Sequence, residues 1–126
     1  MSISVKHNRE AIEVDEIVLQ PQGRLDLSGG DSLKQQLTTL SARRYTLWIV
    51  DMSRVEFIDS AGLVALVAGL NAATQSNARL ILCGLRPATR IVFEITQLDR
   101  AFTIFESYDA MRHALGRPQT VALEPA

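Results

Sequence analysis

LWIVDMSRVEFIDSAGLVALV, residues 47–67, changes character twice. Leu47-Trp48-Ile49-Val50 is an unbroken apolar run, the pattern of a strand covered on both faces in a parallel sheet. Asp51 ends it. The segment MSRVEFI reads as a loop, with Phe57 and Ile58 tucked beneath it. Asp59-Ser60-Ala61-Gly62 then breaks the chain, and Leu63, Leu66, Val67 and Leu70 recur at helical spacing. Strand, connection and helix in this order form one unit of an α/β fold.

The same alternation extends outward. Ile3, Val5 and His7 alternate with polar residues, and Ile17-Val18-Leu19 is a second strand core that ends near Pro21 and Gly23. These two predict an antiparallel pair. Leu33, Leu37 and Leu40 mark a first helix, capped by Ser28 or Asp31, with Gly29 and Gly30 loosening its entry and Arg43-Arg44 ending it. Leu80 to Cys83 is another buried strand. Pro87 sits at the start of a helix carrying Ile91, Val92 and Ile95. Phe102, Ile104 and Phe105 predict a last strand, and Tyr108 to Leu115 a last helix stopped by Gly116 and Pro118. The expected fold is α/β: a mostly parallel sheet of about five strands, an antiparallel N-terminal pair and about four helices, with right-handed crossovers. Residues 1–116 form the expected domain and 117–126, with two prolines and no period, a loose tail.

Bulk properties narrow the function. The chain has 126 residues, enough for one domain that needs neither disulfide nor metal to hold its core. A net charge of −1, with Lys6 and Lys34 the only lysines, gives no field to steer the protein to nucleic acid or anionic lipid. Cys83 is the single cysteine and lies in an apolar run, so it reads as core packing. Trp48 also reads as core. His7 and His113 have no metal-ligand spacing. MSISVKHNRE lacks the apolar centre of a signal peptide, and no apolar run reaches membrane-spanning length. The expectation is a cytoplasmic protein without cofactor, metal, membrane or nucleic-acid partner.

The Asp-Ser junction carries the chemistry. Sites in open parallel sheets collect beyond the carboxyl ends of strands, where Asp51, Asp59 and Ser60 all lie. Asp and Ser are preferred helix caps, and capping alone would explain them. Yet Leu63 stands where a capping box from Ser60 needs Glu or Gln. A phosphate on Ser60 would meet backbone N–H groups and the positive end of the helix dipole. Its roughly −1.5 to −2 charges would also oppose Asp59 and Asp26.

GRLDLSGGDSLKQQL (23–37), the 47–67 stretch and RLILCGLRPATRIVFEITQLDRAFTIFES (79–107) together resemble the anti-sigma factor antagonist family, whose fold is the STAS domain. The resemblance covers about residues 3–115. It implies a non-enzymatic partner switch. The unphosphorylated protein binds an anti-sigma factor that is also a serine kinase of histidine-kinase-type ATPase fold, and so frees a sigma factor. Phosphorylation weakens that binding, and a PP2C-type phosphatase resets it. Carried over, Ser60 is the acceptor. Asp59 and Asp26 orient its hydroxyl and contact the kinase, and Ala61, Gly62, Leu63 and Val64 complete the motif. Arg86 and Arg90 are a second expected contact surface. Ala61 replaces a second hydroxyl found in many members, and Val64 a frequent Gly, which changes the surface beside the site.

Three other readings compete. A STAS-like module could bind a partner without phosphorylation. A receiver domain with Asp51 as acceptor would need a lysine to read the phosphate, and both lysines lie early in the chain. An enzyme would need a base near Ser60, and neither histidine is placed for it; FIDSAGL is no G-x-S-x-G elbow, and Ser28-Gly29-Gly30 is too short for a phosphate loop.

Overall fold

The apolar tetrapeptide at 47–50 becomes the middle of the sheet. Trp48 and Val50 point into one core and Leu47 and Ile49 into the other, so all four are buried. The computed structural model describes residues 3–9, 15–43 and 45–115, with the backbone alone for 3–9 and 15. Its elements run β1 (Ile3–Arg9), β2 (Asp15–Pro21), β3 (Gly23–Leu25), α1 (Leu27–Thr39), β4 (Leu47–Asp51), β5 (Val55–Ile58), α2 (Ser60–Gln75), β6 (Arg79–Cys83), α3 (Pro87–Ile95), β7 (Thr103–Phe105) and α4 (Tyr108–Ala114). The main sheet has the order β1-β2-β4-β6-β7. The β1–β2 pair is antiparallel and the other three pairings are parallel, as the strand patterns predict. Residues 116–126, including the stop at Gly116 and Pro118 and the tail, lie outside the described residues.

The segment read as a loop contains a strand. Val55–Ile58 pairs in parallel with Gly23–Leu25, forming a separate two-stranded sheet with Leu25 opposite Ile58. Val55 and Ile58 face inward, whereas Phe57 points out and lies under the Arg24 guanidinium, 4.0 Å from its ring centroid. Phe57 therefore does not tuck beneath the loop; the β3–β5 register shifts between Gly23 and Arg24, an irregularity that breaks the alternation, so Val55 and Ile58 both face inward and Phe57 is left on the solvent side.

Helices α1, α2 and α3 pack on one face of the main sheet through Leu33, Leu37, Leu63, Leu66 and Phe93. Each such fully buried side chain contributes roughly 1.5–3 kcal/mol. Among the described helices, α4 contributes to the other face, through Met111. α1 and α2 run side by side in the same direction, and glycines set their spacing. A Cβ on Gly30 would lie 2.9 Å from the Ala61 carbonyl oxygen, and one on Gly69 would lie 2.5 Å from Leu37 Cδ1. Gly29 and Gly30 are buried inside α1 and do not loosen its entry. They allow close packing.

Two further expectations need correction. The cap of α1 is Asp26, which takes the Gly29 N–H at 3.1 Å, so the helix starts before Ser28 and Asp31. Arg43 lies beyond the helix, because α1 ends at Thr39 and a 3-10 turn spans Leu40–Ala42; Arg44 is outside the described residues. On α3 the core face is Thr89 and Phe93, with Val92 beside them. Phe93 meets Phe102 edge-on at 5.7 Å and fixes the helix rotation, leaving Ile91 and Ile95 exposed.

One core polar group joins distant parts of the chain. Arg112 on α4 forms a fork with the Glu16 carboxylate on β2, and both are buried. Arg112 Nε and Nη2 also donate to the Tyr108 hydroxyl at 3.0 and 2.8 Å. Burial works against the guanidinium charge, but the Glu16 and Tyr108 hydrogen bonds outweigh it and hold its pKa above the ordinary value. Cys83 is fully buried, and burial first, then the Asp51 charge, pushes its thiol up to about 12. Native protein at pH 8 should therefore resist iodoacetamide, while unfolded protein should be alkylated at one site by intact mass. Rapid native labelling would contradict this burial.

Candidate functional site

The two-stranded sheet builds the site. β3 and β5 run in parallel and end on the paired residues Leu25 and Ile58. Each is followed by a capping aspartate and then a helix: Asp26 before α1 and Asp59 before α2. The Asp59 N–H donates to the Leu25 carbonyl at 3.3 Å, which locks the two junctions side by side. Leu27 and Ser60 are thus equivalent first residues of neighbouring helices. The sequence carries a signal for this pairing: Leu25-Asp26-Leu27-Ser28-Gly29 and Ile58-Asp59-Ser60-Ala61-Gly62 share an apolar-Asp-x-x-Gly spacing. Periodicity alone passes over it.

Ser60 is exposed. It stands on the rim of a cleft of about 280 Å³ between α1 and α2, lined by Leu27, Gly30, Asp31, Lys34, Ser60, Ala61, Val64 and Ala65. Two apolar side chains in this cleft face solvent: Leu27 is 70% and Val64 59% exposed. Exposed aliphatics beside a polar group are what a partner covers at the centre of an interface. Leu27 was not among the sequence-derived candidates.

The backbone amides are less free than the sequence implies. Asp59 Oδ1 accepts from the N–H groups of Ala61 at 2.9 Å and Gly62 at 3.3 Å, and the Leu63 N–H bonds the Asp59 carbonyl at 3.0 Å. The cap carboxylate occupies the amides a phosphate was expected to meet, and Asp59 is turned to them rather than to the Ser60 hydroxyl. Asp26 is engaged likewise, with Gly29 and with Arg24 Nε at 3.5 Å. The Gly29 amide foremost, with Arg24, holds the Asp26 carboxyl below its ordinary 3.8, against a smaller effect of desolvation. That depression stabilises the cap above the ordinary carboxylate range and is lost as acid protonates the group.

The remaining candidates divide. Ala61 and Val64 reach the cleft. Gly62 and Leu63 are buried, so they shape the turn from beneath. Arg86 donates from Nε to the Ser53 carbonyl at 2.9 Å and lines a different depression with Gln22, Gly23, Arg54 and Glu56. Arg90 is half-buried on α3 and does not line the Ser60 cleft. Among the described residues, no group of His, Cys, Asp and Glu could hold a metal, and no helix is long and apolar enough to cross a membrane.

A mixed five-stranded sheet, a satellite strand pair and an Asp-Ser turn at the head of a helix define a small α/β domain that offers one helix-tip face. The STAS domain family model matches residues 3–111, and the chain belongs to that family. Among curated relatives, it is 28% identical over 89 residues to BtrV of Bordetella bronchiseptica, a candidate anti-sigma factor antagonist, covering 71% of this chain and 77% of that one. It is 26% identical over 98 residues to the anti-sigma-B factor antagonist of Listeria monocytogenes, covering 78% and 84%. An anti-sigma factor antagonist from Mycobacterium paratuberculosis superposes with a TM-score of 0.70 at 24% identity, over 91% of this chain and 95% of that structure. The family of anti-sigma factor antagonists is generally non-enzymatic.

Proposed function

We propose that this chain is a cytoplasmic, phosphorylation-controlled partner switch of the anti-sigma factor antagonist type. In the unphosphorylated state it docks an anti-sigma factor that is also a serine kinase of histidine-kinase-type ATPase fold, releasing the sigma factor. The contact face comprises Asp26, Leu27, Asp59, Ser60, Ala61 and Val64, with Arg86 and Arg90 as an outlying second surface. The kinase transfers the ATP γ-phosphoryl group to Ser60: a new O–P bond forms at Oγ, the hydroxyl proton is lost and ADP leaves. A PP2C-type phosphatase hydrolyses the ester and resets the protein.

One observation carries this reading: an exposed serine hydroxyl on the rim of a cleft flanked by exposed Leu27 and Val64. The resemblance to two named antagonists supports the class of partner. The physics supports the switch. Two unit charges about 6 Å apart repel by roughly 3 kcal/mol at an effective dielectric near 20. A phosphate brings nearly two charges beside Asp59 and Asp31, and a docked partner would have to cover them. Because each 1.4 kcal/mol is tenfold in affinity, one phosphate would weaken binding about a hundredfold or more.

The test is a pull-down with the Ser60→Ala protein, then calorimetry with the captured kinase. Ser60→Ala should bind as the parent does and take no label from ATP, whereas Ser60→Asp should bind about tenfold or more weakly. Equal affinity of parent, Ser60→Ala and Ser60→Asp would rule the switch out.

A further inference from the structure

We infer that Lys34 is the internal cation that receives the phosphate of phosphorylated Ser60 across the α1–α2 cleft. The inference rests on the proposed modification of Ser60 and concerns what the phosphate does next. Two of the amides at its usual destination, a helix start, are taken, since the Asp59 carboxylate holds those of Ala61 and Gly62. A phosphate beside that carboxylate needs a mobile positive charge instead.

Lys34 is placed to supply it. It lines the same cleft as Ser60 and is exposed, and among the described residues its ammonium group has no ion-pair partner. Registration of the helices sets its height. Gly30 abuts Ala61 and Leu37 abuts Gly69, so Lys34 lies between these contacts, level with Val64 and Ala65. Side chains on a helix lean toward its N-terminus, so the four-carbon stem of Lys34 can reach back toward Gly30 and Asp31, the end of the cleft where Ser60 stands. Asp31 on α1 and Asp59 at the head of α2 repel the phosphate there, as does Asp26 at the neighbouring cap, whose carboxylate is held by the Gly29 N–H and Arg24. Lys34 is the one cation among the cleft's lining residues. Drawn to the phosphate, its side chain would lie across the space between Leu27 and Val64. Phosphorylation would then fill the apolar cleft as well as charge its rim, giving the switch a steric component.

Phosphoserine installed at position 60 during translation tests this without the kinase. Phosphorus NMR titration reads the second ionisation of the phosphate in the parent, Lys34→Gln and Lys34→Arg proteins. A nearby cation favours the dianion, so the parent should titrate lower than Lys34→Gln by about 0.4 pH unit, and Lys34→Arg should stay close to the parent. Raising salt to about 0.5 M should shrink the difference. Thermal melts of the unphosphorylated proteins should coincide, since Lys34 is exposed. Identical titration of the parent and Lys34→Gln would overturn the inference. Failure of the partner-switch reading would appear elsewhere, as unchanged partner affinity in Ser60→Asp, which this titration does not involve.

Discussion

Arg112→Ala should lower the free energy of unfolding by about 3–5 kcal/mol, a large fraction of the total for a domain of this size. Glu16 is fully buried, and the substitution leaves its carboxylate in the core without the guanidinium that offsets its desolvation. The Tyr108 hydroxyl loses two charged donors at the same time. A double substitution, Glu16→Leu with Arg112→Met, removes both charges and should recover most of the loss, because a buried ion pair contributes little beyond an apolar pair of similar volume. Urea denaturation checks this: the Arg112→Ala midpoint should fall while the slope stays constant. A loss below about 1 kcal/mol would mean that water reaches the pair and that α4 is anchored by Met111 instead.

This pair also shows where a sequence stops being legible. Residues 16 and 112 are 96 positions apart, and each alone reads as an ordinary charged residue at an element's edge. Nothing local marks them as mutual partners. Signals that depend only on near neighbours fared well. The unbroken Leu47–Val50 run is visible because two covered faces demand apolar residues at every position. The Leu33/Leu37/Leu40 stripe, Pro87 at the start of α3 and buried Cys83 follow from the same kind of local rule. The strand at 55–58 was hidden because its burial does not alternate, Val55 and Ile58 being buried and the two residues between them exposed, and because its partner, β3, is three residues long. On α3, Ile91 and Ile95 share a face as convincingly as Thr89 and Phe93 do. Only the contact with Phe102 decides which face turns inward. The candidate site was half legible: Asp59-Ser60 stood out as a break in an apolar run, while Leu27 became visible only once β3 and β5 placed the two caps together.

That juxtaposition depends on Gly62, and Gly62→Ala should destabilise the protein by about 3 kcal/mol. Two effects oppose each other here. Replacing Gly by Ala within a helix ordinarily stabilises by up to about 1 kcal/mol. The added Cβ, however, would lie 2.3 Å from the Leu25 carbonyl oxygen, 2.7 Å from Ile58 Cγ1 and 2.8 Å from Leu25 Cβ. The first neighbour is backbone, and it already accepts the Asp59 N–H, so it cannot rotate away. Relief requires the head of α2 to move off β3, which strains the bond from Asp59 to Leu25 and separates the two caps. The overlap outweighs the gain in helix propensity, and the damage reaches the cleft as well as the core. Denaturant midpoints give the stability, and amide chemical shifts of Asp59, Ala61 and Gly30 report whether the junction has opened. If Gly62→Ala were instead as stable as the parent, with those shifts unmoved, the close approach of α2 to β3 would not be what holds Ser60 on the rim of the cleft.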